Sequence, residues 1–236
     1  MNKQSISLEN KLPLLMESKL FEDFTEAECK MVCSLLQPDL MDYAKNENIV
    51  NEGDLVDYFA IVCNGRVIKN KVGCDGNTHL IEILEKPKMF GIEIAASSSR
   101  ISPITICSAE ESSILRFQYD RILNQEFIPD KYRIKVLNNL INLMANDNVR
   151  KMYKIEVLSQ KSLRIKILMH LHLMRDKTGK SSFSIGMDRE QFAQYLCVNR
   201  SGLSHELGLM RKDGLISFKK DMFTVLDNAN DYEAVE

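Results

Sequence analysis

Apolar residues recur with two different periods along this chain, and the places where the period changes divide it. Near the C-terminal end Leu203, Leu207 and Met210 stand at i, i+4 and i+7, which predicts one buried face of a helix beginning at Arg200. Arg200, Ser201, Ser204 and His205 are left pointing out. A helix is predicted just before it, where Asp188 and Gln191 have capping-box spacing and Phe192, Tyr195 and Leu196 share an inner face. Cys197-Val198 make the turn, and Asn199 is a good N-cap for the second helix. At its far end Arg211 and Lys212 suit the negative helix terminus, and Gly214 supplies a left-handed residue on which Leu215 can fold back. Gly202 and Gly208 inside this helix each cost about 1 kcal/mol relative to Ala, so it must rely on packing. Ile216 to Phe218 and Met222 to Val225 then alternate as two short strands around the basic turn Lys219-Lys220-Asp221. Two helices, a tight turn and a hairpin outline a winged helix-turn-helix, whose second helix lies in the DNA major groove.

Earlier in the chain the period is different. From Ile49 to Phe117 short apolar runs alternate at intervals of roughly ten residues, broken by Glu52-Gly53-Asp54, Asn64-Gly65, Asp75-Gly76-Asn77 and Phe90-Gly91. Regular short strands with turn glycines indicate an antiparallel barrel or roll. Ahead of it, Leu12 to Leu36 has mixed helical periodicity and predicts short leading helices, with Phe21, Phe24, Met31 and Val32 among their apolar positions. Behind it, Pro129 to Leu158 predicts a long helix. Ile134, Ile141, Asn148 and Ile155 fall on one heptad position of this helix and Leu137, Met144, Lys151 and Leu158 on another, an imperfect two-stranded seam. The alternative is a helix packed across its own β-domain. A further helix over about Ser162 to Arg175 leads to a loop from Gly179 to Ser184. The expectation is therefore an α+β chain in three parts: an antiparallel β-roll with leading helices over residues 1–128, a dimerisation helix over 129–158, and a winged helix-turn-helix with an acidic tail over 159–236.

Composition adds a division of charge. The 236 residues carry a net charge of −2, but residues 159–226 hold 12 Lys and Arg against 6 Asp and Glu, whereas residues 1–158 hold 19 against 23. A basic C-terminal module on an acidic N-terminal one fits nucleic-acid binding confined to one domain, although an ordinary solvated surface would account for charge alone equally well. No run of about 18 apolar residues is present and the N-terminus lacks a signal-peptide profile, so a cytoplasmic protein without a membrane partner is expected. The six cysteines, Cys29, Cys33, Cys63, Cys74, Cys107 and Cys197, form no CxxC pair and read as reduced small hydrophobes. Of the four histidines, His170 and His172 are two apart on a helix and face different ways, so no metal site is expected. His79 with Cys74 or Cys107 lacks a third orienting group, and no catalytic residue or cofactor is assigned.

The order of these parts, more than any one motif, carries a resemblance. Glu52-Gly53-Asp54, the Asn64-Gly65 turn, Phe90-Gly91 and Leu196-Cys197-Val198-Asn199-Arg200 follow one another at the spacing of the cyclic-AMP-receptor/fumarate-nitrate-regulator (Crp/Fnr) family of bacterial transcription factors. The chain resembles that family from about Leu20 to Leu226. The resemblance implies a cyclic-nucleotide-binding-like roll (a double-stranded β-helix), a homodimer, a near-palindromic double-stranded DNA site, and RNA polymerase and a small-molecule effector as further partners. Cyclic-nucleotide binders in the family follow Phe-Gly with a Glu that holds the ribose and later present an Arg-Ser pair for the cyclic phosphate. Here Ile92 follows Gly91, Glu93 is displaced by one place, Ser102-Pro103 stand where Arg-Ser would, and Arg100 lies two residues early. A buried phosphate needs a charge-assisted partner, so cyclic AMP is not expected as the signal. Iron–sulphur relatives carry a clustered cysteine set, which Cys29 and Cys33 alone do not make. The turn residue, often Gly in relatives, is Cys197.

In a helix-turn-helix the start of the second helix is where base-edge contacts originate, and an arginine there can bind guanine O6 and N7. Arg200 is thus the leading base-reading candidate, followed by Ser201 and His205. Arg189, Ser204, Lys219 and Lys220 are candidates for phosphates, and Asn199 completes the set. Gly202 stands where a longer side chain could have read a base. Effector-binding residues are not assigned. The reading is a sequence-specific dimeric regulator, with a ligand-binding roll whose helix-turn-helix serves only protein contact as the alternative.

Overall fold

The computed structural model of this chain describes residues 8–226; the acidic tail expected over 227–236 lies outside them. The chain divides into two compact units, the first made of residues up to Gly76 with Ile81–Asp147, the second of Asn77–Leu80 with the chain from Asn148 onward.

The first unit opens with two helices, α1 (Leu12–Glu17) and α2 (Glu26–Leu36). Thr25 starts α2 as a capping box: its hydroxyl accepts from the Glu28 amide at 3.2 Å, and its own amide donates to the Glu28 carboxylate at 3.1 Å. Strands follow as β1 (Asp39–Tyr43), β2 (Asn48–Val50), β3 (Tyr58–Asn64), β4 (Arg66–Val72), β5 (Thr78–Glu85) and β6 (Met89–Phe90). After the short helix α3 (Ile92–Ala95) come β7 (Thr105–Ser108), β8 (Ser112–Gln118) and helix α4 (Tyr119–Leu123). The roll thus begins at Asp39, ten residues before the Ile49 expected, because Leu40 and Met41 are adjacent and hide the alternation. Its two sheets have the orders β1-β8-β3-β6 and β2-β7-β4-β5.

Strand β3 shows how the core is built. Phe59, Ile61 and Cys63 point to a cluster with Leu20, Phe21, Val32 and Leu36 of the leading segments, while Tyr58, Ala60 and Val62 point to a second cluster with Val67, Leu84, Phe90 and Ile106. Both faces are buried, so the strand reads as a continuous apolar run. Gly65 carries φ 79° after β3, and a Cβ there would stand 2.5 Å from the Glu111 carbonyl oxygen and 2.7 Å from Ser112 Cα. No side chain fits.

Helix α5 (Asp130–Ser159) begins on Pro129, whose carbonyl accepts from the Tyr132 and Arg133 amides. Val136 and Leu140 bury in the first cluster, and Asn139 donates to the Leu20 and Glu22 carbonyls at 2.9 Å. The expected seam is only partly what the helix exposes. Ile141 and Ile155 are 61% and 66% exposed, but Leu137 and Leu158 are half-buried and Met152, outside the expected pairing, is 61% exposed.

The second unit contains α6 (Leu163–Thr178), β9 (Ser182–Ser184), α7 (Arg189–Tyr195), α8 (Arg200–Lys212), β10 (Ile216–Lys219) and β11 (Met222–Val225). Its sheet has the order β10-β11-β9. The segment expected as a loop from Gly179 to Ser184 therefore contains a third strand: Phe183 pairs with Phe223, and the Ser184 hydroxyl donates to Asp221. Three residues are too few to display a period. The core joins Leu168 and Leu171 of α6, Phe192 of α7, and Leu203, Leu207 and Met210 of α8. Arg164 fastens α6 to α8 and its C-cap through Glu206 at 2.6 Å and Asp213 at 2.8 Å.

Candidate nucleic-acid interface

Each local signal that sets α8 in place is formed. Asp188 accepts from the Gln191 amide at 2.8 Å, Gln191 accepts in return from the Asp188 amide at 3.1 Å, and α7 runs to Tyr195. Cys197 then adopts φ 56°, the left-handed conformation that favours glycine, to turn the chain. Asn199 caps α8, its Oδ1 accepting from the Gly202 amide at 2.6 Å and from the Ser201 hydroxyl at 3.0 Å. At the other end the Leu215 amide donates to the Met210 carbonyl and Gly214 carries φ 74°, the closure expected from its position.

With Leu203, Leu207 and Met210 wholly buried, α8 has one free face. Arg200, Ser201, Ser204 and His205 are all exposed on it. Lys219 and Lys220 are exposed at the β10–β11 turn, where Lys220 takes φ 57°. Two candidates behave differently. The Asn199 side-chain oxygen is engaged by the cap, and Arg189 lies over the rings of Phe218 and Phe223, its guanidinium carbon 5.0 and 5.6 Å from their centroids. Burial, with Arg200 nearby, lowers the Arg189 pKa below its ordinary value. Arg189 thus holds the wing to α7. Gly202 is the third residue of α8, the position that Glu28 and Gln191 hold in the other two capped α-helices; a Cβ there would stand 2.8 Å from the capping Asn199 oxygen, the movable end of a side chain, and nothing in the structure requires glycine at 202.

The interior of this unit holds two buried histidines. His170 packs between the rings of Phe192 and Tyr195, with centroids 5.3 and 4.9 Å away, and desolvation, reinforced by Lys154, pushes its pKa down to about 4. It is neutral at physiological pH. Among the described residues no group of three or more His, Cys, Asp or Glu is placed to hold a metal ion, and no helix is long and apolar enough to cross a membrane.

In the roll, the departures seen in the sequence have structural counterparts. Gly91 takes φ 90° with Tyr58 oxygen 3.0 Å from where a Cβ would be, and Ile92 is buried. Arg100 is bound to Asp120 by two hydrogen bonds of 2.9 and 2.6 Å, and the Ser102 hydroxyl donates to Ile104 oxygen at 2.7 Å. Both are engaged within the protein. Lys69, which no motif flagged, is buried and donates to Glu93 at 2.6 Å and Glu82 at 3.2 Å. The available signal was its spacing from Val67, two residues earlier on the same strand face. Burial opposes the Lys69 charge, but Glu93 and Glu82 outweigh it and hold the ammonium pKa above its usual value.

Residues 40–125 match the cyclic nucleotide-binding domain family. No curated protein sequence is similar to this chain. Among solved structures it is similar to CLP, the c-di-GMP responsive global regulator of Xanthomonas campestris, at 14% identity and a TM-score of 0.66, covering 83% of this chain and 97% of that one. FixK2 of Bradyrhizobium japonicum is similar at 16% identity and a TM-score of 0.63, covering 81% and 94%. A transcriptional regulator of the crp/fnr family from Eubacterium rectale is similar at 18% identity and a TM-score of 0.58, covering 88% and 93%. The chain therefore has the fold of the Crp/Fnr transcription regulators it is similar to, and its residues 40–125 are similar to the cyclic nucleotide-binding domain. By name, CLP and the Eubacterium rectale protein are regulators.

Proposed function

We propose that this chain is a cytoplasmic, dimeric, sequence-specific DNA-binding transcription regulator whose roll domain answers a signal other than cyclic AMP. The observation that carries it is the free face of α8: four exposed polar side chains over a fully buried Leu203-Leu207-Met210 stripe, beside two exposed wing lysines. In this reading Arg200 reads a base edge, Ser201 and His205 contact bases or phosphates, and Ser204, Lys219 and Lys220 contact phosphates. Asn199 acts by fixing the start of the helix, and Arg189 by holding the wing. Residues 129–158 join two copies, whose recognition helices would meet successive major grooves roughly 34 Å apart on an inverted repeat. RNA polymerase is a partner of the same complex. The engagement of Arg100 and Ser102 inside the protein supports the exclusion of cyclic AMP.

The test is DNA binding by the full chain across a salt series, with Ile141→Asp beside the wild type. Affinity should fall with a log–log slope of about 0.9 per phosphate neutralised. Placing a carboxylate on the exposed α5 face should yield a monomer whose operator affinity is roughly 100-fold weaker or worse, since the two half-sites are no longer linked. Salt-insensitive binding would favour a protein-contact role for the helix-turn-helix. A dimeric Ile141→Asp protein with unchanged affinity would place the dimer contact elsewhere.

A further inference from the structure

Among the described residues Lys69 is the only lysine, arginine, aspartate or glutamate that is buried, its side chain 3% exposed. The pleat of β4 explains how it arrives there. Val67 lies in the core between the two sheets, so the residue two places on must face the same way. Glu82 comes from β5, the neighbour of β4 in its sheet, and shares its face with Leu84 of the same core. Glu93 comes from the first turn of α3, directly after Gly91. One nitrogen therefore ties three separate stretches of the domain.

Helix α3 has four residues, far below the length at which a helix is stable by itself. It depends on anchors, namely buried Ile92, Ile94 and Ala95 and the ion pair of Glu93. The charges decide which ligands the surroundings can accept. One ammonium and two carboxylates sum to one negative charge, and a cyclic nucleotide brings another on its phosphodiester. An anion there would meet like charge where screening is weak.

We propose that Lys69 is a built-in cation that clamps α3 to the β4–β5 edge, ordering the roll with no anionic effector bound, and that truncating it opens a site for a small primary ammonium ion. The clamp rests on the domain alone; that the ordered roll then supports DNA binding without a nucleotide rests on the regulator reading above.

Melting of the full chain tests it. Wild type should show no saturable shift with cyclic AMP or cyclic GMP up to millimolar concentration. Lys69→Ala leaves two carboxylates without their cation and should melt about 10 °C lower. Added ethylammonium chloride, which fits the space left beyond the Cβ at position 69, should restore several degrees saturably in Lys69→Ala and leave wild type unmoved. Ethanol or sodium chloride at equal concentration should not restore it, and the rescue should vanish in Lys69→Ala/Glu82→Gln/Glu93→Gln. If Lys69→Ala does not fold, the milder Glu82→Gln variant should still melt below wild type, and refolding Lys69→Ala with ethylammonium present should recover soluble protein. A micromolar nucleotide shift in wild type, unchanged melting of Lys69→Ala and Glu82→Gln, or absence of amine rescue would each overturn the clamp. Loss of DNA binding by wild type, with the melting results as expected, would instead count against the regulator reading.

Discussion

The roll and the winged unit treat charge in opposite ways. The roll takes a cation into its interior and surrounds it with Glu82 and Glu93, whereas the winged unit keeps a neutral His170 inside and leaves Arg200, Lys219 and Lys220 in water. A buried ion pair exchanges hydration for a fixed geometry. An exposed cation keeps its hydration and can exchange it for a phosphate, and on DNA that exchange releases the counterions condensed on the nucleic acid. The same residue type thus orders the chain in one unit and stays in water in the other.

The largest effect that would break this contrast is acid unfolding of the winged unit. Folded His170 binds its proton only near pH 4, while the unfolded chain binds one near 6.5. Stability is therefore fully present above pH 6.5, falls as the pH drops toward 4, and loses about 3 kcal/mol in all. Urea titrations at several pH values should show this loss in wild type and not in His170→Leu. An identical acid profile in the variant would mean that the histidine is not held neutral by burial.

Next in size is Arg200→Ala, expected to lower specific DNA affinity by about 1–3 kcal/mol and relax preference at one base pair per half-site, while Lys219→Ala weakens all sequences alike. Binding assays on operator and random duplexes separate them. Equal losses on both duplexes for Arg200→Ala would return that side chain to the phosphate-binding class.

The smallest effect sharpens the comparison at the backbone. Cys197 sits at φ 56°, so Cys197→Gly should stabilise the winged unit by about 1 kcal/mol with DNA specificity unchanged. Thermal melting checks it. A decrease would show that the cysteine side chain makes contacts worth more than the strain.

These differences also explain what could be read in advance. Caps, turn glycines and the Leu203-Leu207-Met210 stripe are local, and each was legible from a few neighbouring residues. Strand β3 was legible as an apolar run ending at Asn64-Gly65, but being buried on both faces it shows no alternation to say which side chains face where, and β9, held by Phe223 some forty residues away, does not announce itself locally. Lys69 was hidden for a third reason. Its partners lie 13 and 24 residues along the chain, and only the fold brings them to one nitrogen. On the exposed face of α8 the candidate residues were legible, but the stacking of Arg189 on Phe218 required the β10–β11 hairpin to be in place.

If α8 reads DNA as proposed, Gly202 bears on how this chain could acquire a new specificity. A Cβ at 202 would stand 2.8 Å from the capping Asn199 oxygen, the movable end of a side chain, and Glu28 and Gln191 hold the same third position in the other two capped α-helices with their caps formed. A reader introduced at 202 therefore asks only a small adjustment of the cap, and varying 199 together with 202 lets cap and reader be selected as one unit.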